Sequence, residues 1–244
     1  MSKLLTDVAR TLVPPRGDPH GPLPPLLVVL TVVTGVVDAV SYLALGHVFV
    51  ANMTGNVVFL GFALAGASGL SAPSSLAAMS AFLVGALAGG RPARRFAAHR
   101  GKLLALSTSL QTVLVAAALV VSAAAHAKVT DGVQYTLIVL LGLGMGLQNA
   151  VVRGIGVPDL NTTVLTMTLT GLAADSAPGG DPGHPGRRVL SVLAMFTGAF
   201  LGAQLLLHTR LEAPLGLALL LLAAVSATAL RLSRGGPGGL TPPG

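Results

Sequence analysis

Asp38, in the run TGVVDAVSYLAL, is the only charged residue between Leu26 and Leu45. A carboxylate inside an apolar run is costly in hydrocarbon and must face protein or a wet cavity, so it marks a functional site by default. Such a group can carry a coupling proton. The competing reading is a packing role, with hydroxyls of Thr34, Ser41 or Tyr42 holding the acid. A second group follows in HVFVANMTGNVVFLG, residues 47–61, where Asn52, Thr54, Gly55 and Asn56 interrupt apolar sequence. They predict a broken helix that restarts from about Gly55 to Ala67, capped by Asn52 or Thr54, with free amides aimed at an anion or polar solute. The plainer alternative is that these side chains only satisfy the broken backbone. A third group joins Gln148 and Asn149 to Thr162, Thr163, Thr166, Thr168 and Thr170. With Asp38 they make a polar, weakly charged pocket, unless the hydroxyls merely bond the turn before them.

Other chemistries lack their parts. The chain has no Cys, which excludes thiol catalysis, disulfides and Cys-bound metals. There is no H-E-x-x-H or G-x-S-x-G, and the six His sit in loops, tails or span ends without ligand spacing. Only His47, beside the broken segment, invites a test. No metal or cofactor is expected. The net charge of +7 comes without Trp and with only two Tyr. Basic loops on one side of a membrane explain it better than nucleic-acid binding does.

The elements that must position these residues are membrane helices. The chain of 244 residues is 52% hydrophobic and 9% charged, against about 25% charged in a soluble domain. Eight apolar segments can be drawn, at 26–45, 49–67, 74–90, 103–125, 133–152, 162–175, 189–207 and 213–230. If all eight cross, the 15 Lys and Arg divide eight to seven between the two sides. If 49–67 and 162–175 leave on the side they entered, Lys128 and Arg210 stand alone against thirteen others. The second arrangement obeys the positive-inside bias and places both termini in the cytoplasm. The expectation is an all-α integral membrane protein with six spanning helices and two short re-entrant or broken helices. Seven spans is the runner-up, since 49–67 alone is long enough to cross.

The halves echo each other. Gly35, Asp38 and Ala39 match Gly146, Asn149 and Ala150; Thr54 matches Thr166; Gly85 and Gly89 match Gly198 and Gly202. Three crossings per half place the second copy upside down, the inverted-repeat plan of many secondary transporters. The two G-x-x-x-G pairs predict close helix packing rather than a ligand role. The expected organisation is a disordered cytoplasmic tail over 1–24, one membrane domain over 25–232 (repeats 25–125 and 131–232) and a disordered tail over 233–244.

Residues 35–61, GVVDAVSYLALGHVFVANMTGNVVFLG, with GLQNAVVR at 146–153 and TTVLT at 162–166, resemble the YoaK family, domain of unknown function 1275. The resemblance covers about 25–232 and implies a bacterial inner-membrane protein with about six spans and no assigned substrate. One departure is visible: where relatives tend to read T-G-T, this chain has Thr166, Met167 and Thr168. The preferred function is a secondary transporter, or permease, of a small polar or anionic solute, proton-coupled through Asp38. A non-transporting scaffold or sensor is the main alternative, although it would need soluble domains or long charged loops. A membrane-embedded enzyme lacks paired acids, and a channel would look much the same as a transporter. The lipid bilayer is the certain partner, no nucleic acid is expected, and homo-oligomerisation stays open.

Overall fold

The computed structural model describes residues 2–15, 17–18, 20–95, 99–125, 129–160, 162, 165–174 and 184–234. Within them the chain forms α1 (Ser2–Leu12), α2 (Leu23–Ala44), α3 (Met53–Leu64), α4 (Ala72–Arg95) and α5 (Arg100–Ala124). The second half continues as α6 (Asp131–Ile155), α7 (Leu165–Ala174), α8 (Pro185–His208) and α9 (Glu212–Arg234). Helices α2, α4, α5, α6, α8 and α9 are long and apolar enough to cross a membrane. Their outward faces carry Leu83, Leu87, Val113, Val120, Phe196 and Leu220, each more than half exposed. A belt of that kind fits lipid rather than water.

Helix limits follow local chemistry. Pro24 and Pro185 sit in the first turns of α2 and α8, where a missing N–H costs nothing. Thr130 caps α6 by accepting from Val133 N, Asp131 lies in its first turn, and Gly156 ends it in the left-handed conformation at φ 64°. At the other end of the chain, the predicted tail 1–24 is not wholly irregular. Residues 2–12 are helical, because Leu4, Asp7, Val8 and Thr11 recur at helical spacing and turn inward while Leu5 and Leu12 stay exposed. The Asp7 carboxylate accepts from Gly186 N at 2.8 Å and fastens α1 to the start of α8. The predicted tail 233–244 lies outside the described residues beyond residue 234.

Glycine sets the tightest contacts. A Cβ on Gly198 would lie 2.1 Å from Val32 O, and one on Gly85 the same distance from Leu143 O. Gly202 meets Val36 and Gly89 meets Leu147 in the same way. All four expected packing glycines therefore let backbones approach, α8 against α2 and α4 against α6. Besides the contacts of α1 with α2 and α8, the remaining neighbours are α5 with α9, α5 with α6, α2 with α9, α3 with α4, α7 with α8, α8 with α9, α4 with α5 and α2 with α6. Exchanging α2, α3, α4 and α5 for α6, α7, α8 and α9 returns this same set of neighbours.

Two clusters of helix ends define the faces. Ser74, near the start of α4, accepts from Gln134 at the start of α6 (3.3 Å), and Gly46, just past α2, packs against both. The end of α2 and the start of α4 are thus on one face, so α3 enters and leaves on the same side. On the other face, Asp159 after α6 bonds His184 N and Arg188 at the start of α8, so α7 also returns to the side it left. Arg91, Arg100, Lys102, Arg153, Arg187, Arg188 and Arg231 lie at helix ends on this second, basic face. Arg210 lies at the opposite one.

Candidate functional site

Asp38 lies on the last third of α2, about 9 Å of helix rise before Ala44, and is 7% exposed. The hydroxyls suspected of holding it are engaged elsewhere. Ser41 Oγ donates to the backbone oxygen of Asp38 and Thr34 Oγ1 to Leu30 O. The carboxylate instead accepts from Val50 N at 3.1 Å and Ala51 N at 2.9 Å, with the Asn52 amide aimed at the same group. Successive amides converging on one anion form a nest. This one bends the chain back two turns below the end of α2.

Asn56 completes the bend. Its Oδ1 accepts from Phe49 N at 2.9 Å and its Nδ2 donates to Phe49 O at 2.5 Å. One side-chain amide thereby satisfies both backbone groups of a residue that hydrocarbon could not serve. Asn52 occupies the cap position of α3, but neither it nor Thr54 caps the helix through its side chain, and α3 begins at Met53 rather than Gly55. Asp38 binds the amides of the three residues before α3 and leaves the first turn of the helix uncapped by any side chain. Phe49 stacks between Tyr42 (5.1 Å) and Phe59 (5.7 Å), and His47 meets Tyr42 edge-on at 5.3 Å. A Cβ on Gly55 would lie 2.7 Å from the Phe49 ring, which explains the glycine.

A cavity of about 1410 Å³ opens beside this hairpin. Of the expected site residues, Asp38, Asn52, Thr54, Gly55, Asn149 and Thr166 line it, as does Thr168. The start of α3 and the start of α7 therefore face one space. Asn56, Gln148 and Thr162 are off its wall. Gln148 is fully buried, accepting from Gln111 Nε2 at 2.8 Å and donating to Thr34 Oγ1 at 3.0 Å. It cross-links α5, α6 and α2, which is structural work. Thr162 is fully buried. Thr163, Asp175 and the side chain of Met167 lie outside the described residues.

The sequence reading passed over the charged rim. Arg153, Asp159 and Arg188 also line the cavity, toward the basic face. Arg188 Nε donates to Asp159 Oδ1 at 2.8 Å, and His184 N donates to the other carboxylate oxygen at 2.8 Å. Burial works to raise the pKa of Asp159, but the His184 amide and the Arg188 guanidinium outweigh it and hold the acid below the usual carboxylate range. Tyr42, Phe49 and Phe59 were missed as well. Their clustering was detectable in principle, since they are three of only nine Phe and Tyr in the chain.

Six membrane helices, two re-entrant short ones and a shared cavity define a polytopic α-helical membrane protein. Residues 26–228 match the family model described as Protein of unknown function (DUF1275), and the chain belongs to that family. It is similar to the UPF0700 transmembrane protein YoaK of Bacillus subtilis (strain 168), with 33% identity over 150 residues. That match spans 62% of this chain and 65% of the relative, just under two thirds of the relative's length. No solved structure gives a significant match.

Proposed function

We propose that this protein is a secondary transporter, a permease for a small polar or anionic solute, in a bacterial inner membrane with both termini in the cytoplasm. The observation that carries the reading is the cavity onto which Asp38 and the starts of both short helices open. Half-helix starts at membrane depth are the solute-binding device of transporters built from inverted repeats. The exchangeable set of helix neighbours supports reading the two halves as such repeats, as does the opposite direction in which α2 and α6 run. The basic face supports a cytoplasmic assignment.

Asp38 supplies a coupling mechanism. A carboxylate accepts hydrogen bonds more strongly than a neutral carboxyl group does. Proton uptake would therefore weaken its hold on Val50 and Ala51, so that protonation and loosening of the first hairpin become one event. Among the described residues the site has no paired acids or activated nucleophile, and this favours movement of solute over its chemical conversion.

Proteoliposome uptake over a panel of small organic anions, amino acids and sugars, with and without an imposed pH gradient, tests this. At least one solute should accumulate under the gradient. Asp38→Asn should insert normally and lose the pH dependence. A panel that stays flat under both conditions ends the transporter reading. Because the chain has no Cys, Leu70→Cys offers a clean topology probe. It should react with an impermeant thiol reagent from outside the cell, and labelling from the cytoplasm alone would reverse the orientation.

A further inference from the structure

On the basic face α2, α5 and α8 all begin, with α2 packed along α8. Their N-cap positions hold Pro22, His99 and His184, none of which makes a side-chain capping bond. Arg187 lies at the start of α8 and is only 6% exposed. Its Nη1 reaches Pro158 O at 3.4 Å, but its Nε has no hydrogen-bond partner among the described residues. Arg100 Nη1 and His20 Nδ1 are buried and unpartnered in the same sense. His20 lies within reach of the charges of Arg187 and Arg100, and of His184 as well.

The acids nearby are committed to other groups. Asp159 holds Arg188 and His184 N, Asp7 holds Gly186 N, and Asp18 Oδ1 accepts from His20 N at 2.7 Å. No carboxylate lies within ion-pair distance of Arg187 or Arg100 among the described residues. Burial first, and then the charge of Arg187, hold His20 below the usual imidazole range despite the opposing pull of Asp18. The local field is therefore positive. Buried guanidinium groups are ordinarily paired, and the described residues supply no acid to these two.

We propose that the basic cluster at the starts of α2, α5 and α8 binds a phosphate-type anion, held by the N–H groups of Arg187 and Arg100 with His20 beside them. A guanidinium fork matches phosphate oxygens, and uncapped helix starts add amide donors and a favourable dipole. Helix α1, whose Asp7 and Val8 press on Gly186, lies beside the start of α8. None of the three basic residues lines the cavity, although Arg187 adjoins its rim through Pro158 and Arg188. Both an anionic lipid headgroup and free phosphate present the required chemistry, and basic pockets between membrane helices suit the former.

Thermal melting of the full chain decides the matter in two arms. In neutral detergent, inorganic phosphate is titrated against chloride at equal ionic strength. In nanodiscs, phosphatidylcholine is compared with phosphatidylcholine doped with phosphatidylglycerol. A rise in Tm of several degrees in the detergent arm identifies a free anion; a rise only in the nanodisc arm identifies a headgroup. Arg187→Gln should weaken the effect by roughly thirtyfold or more. Arg100→Gln, at a half-buried position, serves the same purpose if the first variant folds poorly. Unchanged melting of the wild type in both arms, or a full shift retained by both variants, overturns the proposal. Neither outcome touches the transport reading, which uptake measures independently.

Discussion

Among the described residues, the first membrane hairpin is fastened at its tip and the second at its root. In the first, Asp38 and Asn56 reach into the bend and bond the backbone of Phe49, Val50 and Ala51, all at membrane depth. In the second, the residue aligned with Asp38 is Asn149, whose Nδ2 donates to Met145 O within its own helix at 2.8 Å. The described anchor of that hairpin is the Asp159–Arg188 pair on the basic face. Both hairpins leave their spanning helix through a non-glycine residue in the left-handed region, His47 at φ 57° and Asp159 at φ 60°. The path is shared, and the described fastenings sit at opposite ends of the two hairpins. Hydrogen bonds buried in protein are insulated from ions, whereas a pair near water is screened by salt and titrated by acid. The Asp159–Arg188 pair is therefore the described fastening that solution conditions can reach.

The largest break in this comparison should come from Asp38→Ala. It leaves the buried Val50 and Ala51 N–H groups without an acceptor, at about 1–3 kcal/mol each, and denaturation in detergent should show a loss of about 2–6 kcal/mol. Next come Gly85→Ala and Gly198→Ala, where each new methyl group would sit 2.1 Å from a carbonyl oxygen of the facing helix. Separating the helices should cost about 1–3 kcal/mol in each case. The two losses should agree within about 1 kcal/mol; a wider gap would undo the correspondence between the halves.

Asn56→Ala removes the clip on Phe49 and should cost about 1–3 kcal/mol, with no dependence on ionic strength. Asp159→Asn should have the smallest effect, about 1 kcal/mol, and the only one that high salt erases. Its pH dependence has a definite sign. Because the folded pKa of Asp159 lies below the unfolded value, the stabilisation is complete above about pH 4 and fades as the pH falls through the folded value. Melting curves of wild type and Asp159→Asn should thus converge in acid. Divergence there would mean that the second hairpin is held by something other than this pair.

Particular residues show how far sequence reading reached. The broken helix around Asn52 to Asn56 was legible because polar residues in an apolar run have few explanations. The charge distribution then separated re-entrant from spanning segments. Gln148 was misjudged as pocket-lining because its partners, Gln111 and Thr34, lie 37 and 114 positions away. Arg188 read as an ordinary flank of a span, and only the return of the chain after α7 places it against Asp159. The helix over residues 2–12 was missed because a short amphipathic pattern gains its stability from the surface it covers.

By itself the sequence favoured six spans over seven, and with them the relative directions of the helices and the regions where the backbone breaks. Those features follow from local hydropathy and from the sidedness of charge, which each segment carries with it. Tertiary structure alone decided which groups satisfy the broken backbone and which side chains share a cavity. Hydrogen bonds form between atoms within about 3 Å of each other, and in this chain such atoms belong to residues a dozen to more than a hundred positions apart.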